Sequence, residues 1–204
     1  MNSLPDTATT MKAVGLRERK KAKTRAAIQE HGLRLFQEQG YGATTVEQIA
    51  EAAEVSPSTF FRYFPTKEDV VLFDSTDALM FASFEAQPPE VSVVEALRRA
   101  FHEVYSAFTP AEFEREQTRQ SLIRSVPDLR ARMLDDLMAS IDLLAEMVGR
   151  RVGRAPEEIA VRAFSGALIG VIVGVFLAVN DLEPIDYVEM FDAALAQLEA
   201  GLPL

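Results

Sequence analysis

Residues 44–67 read TTVEQIAEAAEVSPSTFFRYFPTK, and this stretch decides the fold. Val46, Ile49, Ala50 and Ala53 recur at i, i+3, i+4 and i+7, the spacing of one helix face. Two threonines precede them. Thr44 has Glu47 three residues on and Thr45 has Gln48, so either can form a capping box. Ser56-Pro57 starts a second helix: serine accepts a free amide at the N-cap, and the proline ring presets the first helical φ. Pro65 ends it, because the residue before a proline is pushed out of the helical region. Thr66 then caps a further helix, with Lys67, Glu68 and Asp69 in its first turn.

Two short helices joined by a tight turn are a helix-turn-helix, whose second helix enters the DNA major groove by its N-terminal end. This accounts for the aromatic content of 54–65. A helix of two turns needs large rings to hold it, and Phe60 and Phe64, four apart, can anchor it inward. Ser58, Thr59 and Arg62 then face outward. Hydroxyls bond phosphates or bases, and arginine pairs with guanine through two hydrogen bonds. The Tyr63 hydroxyl can reach a phosphate, and the free amides near Ser56 favour an anion. An ordinary helical hairpin has the same spacing, so the pattern alone leaves that alternative standing.

The charge is unevenly placed. The 204-residue chain carries a net −10, yet residues 1–65 hold nine Lys/Arg against seven Asp/Glu, and 66–204 hold twelve against twenty-four. Residues 11–25, MKAVGLRERKKAKTR, oppose seven cations with Glu18 alone. An acidic body with a basic front suits a protein that meets phosphate at one end, although a solvated basic helix start looks the same. With no cysteine and two histidines, His31 and His102, there is little material for a thiolate nucleophile, a histidine triad or a zinc site. No enzyme activity, metal or cofactor is expected. No charged segment precedes a short apolar stretch at the start, so a cytoplasmic location is expected.

The remaining pattern is helical. Residues 1–16 read as a flexible basic tail. From about 17 to 39, Ile28, Gly32, Leu35 and Phe36 share a face, and Gly40 and Gly42 stop it. A fourth helix follows Thr66 to about 85. Val94, Leu97, Phe101, Val104, Tyr105 and Phe108 form a stripe, a more polar helix spans 110–125, and another runs from Pro127 to about Val148. Pro156 opens a long apolar helix to about Val179, and a last one covers 184–200 before Gly201. The chain reads as all-α with about nine helices. Residues 163–179 carry no charge and approach membrane-spanning length, but charged residues flank them without an aromatic belt, so no membrane association is expected. Gly166, Gly170 and Gly174 form a line of small residues that lets another helix approach, within the chain or from a second copy.

A Lys23-Thr24-Arg25 start, a helix, and then GYGATTVEQIAEAAEVSPSTFFRYFPTKEDVV at 40–71 resemble the DNA-binding domain of the TetR (tetracycline-repressor) family. The resemblance covers about 20–71. It includes Arg25, Phe36, Gly40, Thr45, Ile49-Ala50, Val55-Ser56, Tyr63-Phe64 and Lys67-Glu68 in register. It implies a three-helix DNA-binding domain at 17–65, with the helix-turn-helix at about 44–64, and a helical ligand-binding and dimerisation domain at 66–204. The implied function is a homodimeric repressor of a palindromic operator, released by a small molecule. An activator or a ligand-independent regulator of the same fold is the alternative.

By position, the resemblance implies that Thr45, with Thr44 beside it, contacts a phosphate. Ser56, Pro57, Ser58 and Thr59 face backbone or bases, Arg62 reads a base edge, and Tyr63 and Lys67 hold phosphates. Lys23 and Arg25 touch backbone, unless Arg25 pairs within the domain. Glu54 departs from the glycine common in the turn. At φ > 0 a glutamate costs roughly 1–2 kcal/mol relative to glycine, and its charge suggests a Lys or Arg partner. A pocket in the second domain would draw on Phe81, Phe84, Phe101, His102, Tyr105, Phe108, Phe113, Leu122 and Met133, which suit an apolar or aromatic ligand, although each also reads as core. Arg98, Arg99, Arg115, Arg119 and Arg124 are available to an anionic head group, or are a solvated face. The glycine line with Phe191 and Leu195 makes the expected dimer face.

Overall fold

A computed structural model describes residues 7–178 and 184–203, with side chains described from Gly15 to Ala178 and from Val188 to Pro203. The described residues form eleven helices and no strand: α1 Thr7–Gln39, α2 Val46–Ala52, α3 Pro57–Tyr63, α4 Lys67–Leu72, α5 Asp77–Ala86, α6 Val93–Ser106, α7 Pro110–Ser125, α8 Pro127–Ala139, α9 Ile141–Val152, α10 Ile159–Ala178 and α11 Pro184–Glu199. They divide into two compact units, residues 1–73 with 118–126, and 74–117 with 127–204.

The first unit reaches past the expected boundary at 65/66, because α4 packs on α1. Gly32 permits this approach: a Cβ there would lie 2.8 Å from Val70 Cγ1. The Gln29 amide closes the open end of α4, donating to the carbonyls of Val70 (3.1 Å) and Phe73 (2.8 Å). Ile28, Phe36, Ile49, Phe60, Phe64, Val70 and Val71 form a core with almost no solvent exposure. α1 begins at Thr7 rather than near Arg17, so the expected tail is helical from that residue on. Half of residues 7–16 (Thr7, Thr9, Thr10, Val14 and Gly15) are weak helix formers and no apolar stripe marks them, so the sequence pattern does not announce this part of the helix. Gly40, at φ 88°, ends α1, and its N–H bonds the Phe36 carbonyl.

The second unit has its own core, built chiefly from α5, α6, α9, α10 and α11. Two expected helices are broken. The one after Thr66 stops at Phe73, whose backbone is extended. The Asp74 carboxylate then accepts the Thr76 N–H (2.7 Å) and hydroxyl (2.6 Å) before α5 begins. The helix from Pro127 breaks at Ser140, whose hydroxyl donates to the Asp136 carbonyl (2.9 Å), a back-bond that bends helices. These two breaks account for the excess over about nine. α10 starts at Ile159, not Pro156. Glu158 instead braces a turn, accepting the Ala155 N–H and the Arg154 guanidinium. Val179 lies outside the described residues.

A column of rings runs through this core. Phe191 of α11 stacks on Phe101 (centroids 4.0 Å apart), Phe101 on Tyr105 (4.3 Å) and Tyr105 on Phe108 (4.9 Å). Phe108 meets Phe113 edge-on at 6.3 Å. Phe191 and Leu195 are therefore core residues, 8% and 0% exposed, and not part of the dimer face that the resemblance implies. Gly170 and Gly174 are exposed and Gly166 half-buried, and a Cβ added at any of the three would meet nothing within 4 Å. Among the described residues, nothing packs close enough to the glycine line to touch a Cβ placed there.

Candidate nucleic-acid interface

Thr45, not Thr44, caps α2. Its side chain accepts the Gln48 N–H, and the Gln48 side chain accepts the Thr45 N–H at 2.9 Å, completing the box. Thr44 is 1% exposed and donates to the Gly40 carbonyl at 2.9 Å, so it cannot reach a phosphate as expected. The Gln39 amide bridges Thr44 Oγ1 and Gln48 Oε1, a role that no periodicity announces.

Between the helices the chain turns at Glu54, with φ 53°. The Val55 N–H bonds the Ala50 carbonyl (2.9 Å) and the Glu54 N–H that of Glu51 (3.0 Å). Glu54 is exposed, and the expected basic partner is not found among the described residues. The Ser56 side chain caps α3, accepting the Thr59 N–H at 3.1 Å, and its hydroxyl lies 2.9 Å from that of Ser58. Phe60 and Phe64 pin the helix to the core at 0% and 1% exposure. Each such burial contributes about 2–3 kcal/mol.

At 100° per residue, the two anchors fix what faces out. Pro57, Ser58, Phe61 and Arg62 are exposed, while Thr59 and Tyr63 sit half-buried at the margin. Phe61 was not expected here. It is 50% exposed, between Ser58 and Arg62 on the helix surface. The signal was present in the spacing: one residue after an inward Phe60, it cannot also point inward. The Arg62 guanidinium lies 5.4 Å from the Tyr63 ring centroid and has no ion pair among the described residues.

Two expected phosphate contacts are turned inward. The Lys67 ammonium donates to the carbonyls of Tyr41 (3.0 Å) and Thr44 (3.3 Å) and lies over the Tyr41 ring at 4.4 Å. The Tyr41 hydroxyl in turn donates to Glu68 at 2.6 Å. Burial opposes the Glu68 charge, but the hydrogen bonds from Tyr41, its own backbone N–H and Thr66, with the Lys67 charge, hold it below the usual carboxylate range. The Arg25 guanidinium covers the Phe73 ring at 4.8 Å, the in-domain alternative. Lys23 is exposed.

In the second unit, Phe81, Phe84, Phe101, Tyr105, Phe108 and Phe113 share one apolar cluster. His102 is exposed, Leu122 belongs to the first unit, and Met133 is half-buried on α8. Arg98 is engaged by Asp192 through two bonds (2.7 and 2.8 Å), and Arg99 by Glu95. Arg119 is buried.

A helix-turn-helix on a three-helix base, followed by a helical second unit, defines a DNA-binding transcriptional regulator. Residues 28–72 match the family described as bacterial regulatory proteins, tetR family, and residues 91–203 match the MftR C-terminal domain. The chain belongs to the TetR family. It is 36% identical over 156 residues to the HTH-type transcriptional regulator TcmR of Streptomyces glaucescens, covering 73% of this chain and 69% of that one. It is 24% identical over 186 residues to the transcriptional regulator MftR of Mycobacterium tuberculosis, covering 90% and 93%. The crystal structure of Thermus thermophilus FadR, a TetR-family transcriptional repressor in complex with lauroyl-CoA, superposes with a TM-score of 0.55 at 25% identity, over 88% of this chain and 95% of that one.

Proposed function

We propose that this regulator is a cytoplasmic homodimeric repressor that binds a palindromic operator and releases it when a small apolar or aromatic molecule enters the second unit. The observation that carries the reading is the outward face of α3, where Ser58, Phe61 and Arg62 are exposed. Arg62 reads a guanine edge, Ser58 bonds a phosphate or a base, and Phe61 packs on a thymine methyl. Ser56, Pro57 and Thr59 form the approach to the backbone, with Thr45, Tyr63 and Lys23 at the rim. Arg62→Ala should relax base preference at one position in each half-site while the other positions hold, read by selection from a randomised duplex pool. Unchanged preference would remove Arg62 from base reading.

The open glycine line on α10 supports a dimer, since two copies of a helix with small residues pack closely and a twofold operator needs a twofold protein. Gly170 is exposed and a Cβ there meets no described atom within 4 Å, so Gly170→Leu should leave helicity intact and shift sedimentation toward monomer. The ring column supports an apolar or aromatic ligand, and the FadR relative was crystallised with lauroyl-CoA. The same column favours a second reading. Rings already stacked on each other fill their own space, as in a ligand-independent regulator. Lauroyl-CoA and a flat aromatic dye separate the two: a rise in melting temperature with either supports a ligand site, and no rise with both supports the filled core.

A further inference from the structure

We propose that the N-terminal part of α1 is a second DNA-contacting element, which grips phosphates through Arg17 and Lys21 independently of base sequence. This inference rests on the DNA-binding reading above. Residues 15–23 are exposed on every side, about 13 Å of helix that none of the described residues covers. Within them, Arg17, Arg19, Lys20, Lys21 and Lys23 face a single Glu18, and none has an ion pair among the described residues.

The placement is not that of a solvated surface. Arg17, Lys21, Arg25, Ile28 and Gly32 follow one another at i, i+4, i+8, i+11 and i+15, so they lie on one line along α1. At Ile28 and Gly32 that line is the packed face, turned toward Ile49 of α2 and Val70 of α4. At Arg25 it is half-buried against Phe73. N-terminal to Arg25 the same line continues clear of the unit's packed core and becomes cationic. It extends the side of α1 on which the helix-turn-helix is built. The like charges of Arg17 and Lys21, Lys21 and Arg25, and Arg19 and Lys23 stand four residues apart, an arrangement that opposes helix formation unless an anion neutralises it. Closely spaced phosphates on a duplex supply that anion.

The test uses the full chain, the duplex recovered by selection, and an unrelated duplex of equal length, each titrated at several salt concentrations. Both positions are exposed and alanine is the best helix former, so Arg17→Ala/Lys21→Ala should melt like the parent. It should bind both duplexes roughly tenfold more weakly, and the slope of log affinity against log salt should fall by about 0.9 for each phosphate that the variant no longer neutralises. The charge-keeping pair Arg17→Lys/Lys21→Arg should restore both. Parent-like affinity and slope in the alanine variant would overturn the inference and leave the DNA-binding reading intact. A loss confined to the selected duplex would overturn the phosphate role. Failure of the parent chain to bind any duplex would overturn the DNA-binding reading itself.

Discussion

Glu54 holds the turn of the helix-turn-helix at φ 53°, a conformation that costs a side-chain-bearing residue about 1–2 kcal/mol and glycine almost nothing. No ion pair among the described residues offsets that cost. Glu54→Gly should raise the unfolding free energy by about 1 kcal/mol, a change that urea denaturation resolves. Lower stability would mean that the glutamate side chain contributes more than the strain removes. Phe61 is tested by its chemistry. An apolar contact to a thymine methyl involves no counterion, so Phe61→Ala should weaken operator binding while the salt slope stays constant. Residue roles were legible where one property decides them. The rings of Phe60 and Phe64 needed burial, and Ser56-Pro57 needed a helix start. They were not legible where two like residues competed: only three-dimensional placement shows that Thr45 caps while Thr44 is buried, or that Lys67 spends its ammonium on the carbonyls of Tyr41 and Thr44.

Among elements, α9 and the turn after it meet through an absent side chain. A Cβ on Gly149 would stand 2.7 Å from the Arg154 carbonyl oxygen, a backbone atom that cannot swing away. Gly149→Ala should therefore destabilise the second unit by about 1–3 kcal/mol, against the usual gain from alanine in a helix, as read by thermal melting. α11 is tied to α6 by Phe191 on Phe101, by Asp192 on Arg98 and by the Ser92 hydroxyl on Glu199. The two hydrogen bonds from Arg98 and its charge, against a smaller cost of burial, hold the Asp192 carboxyl below its ordinary 3.8. A depressed carboxyl adds stability above its unfolded value and loses it as pH falls through the folded one. The contribution should thus be constant at neutral pH and disappear from about pH 3.8 downward. With both side chains partly in water it amounts to about 1 kcal/mol or less. Asp192→Asn should remove that part of the acid dependence of the melting temperature. Helix spacing revealed most elements here but not their breaks, because periodicity continues through Ser140 and its back-bond. Nor does spacing say which partner an apolar face meets, which is why Phe191 and Leu195 proved to be core.

For the whole molecule, the charge division follows the proposed division of labour. A slightly basic first part carries the recognition helix and the exposed cations of α1, and a strongly acidic remainder is repelled by a duplex. α10 is long and apolar enough to cross a membrane by length and composition, with a third of its most apolar window buried within the chain. The remaining apolar surface includes the glycine line, which suits a second copy. The central claim is sequence-specific DNA recognition by the exposed face of α3. Its most direct test is the selection of bound fragments from the source organism's own DNA, with Arg62→Ala in parallel. The account predicts that the parent chain recovers a shared palindromic site, and that the variant loses preference at one position in each half while still binding. Recovery of no common site by the parent chain at moderate salt would contradict it.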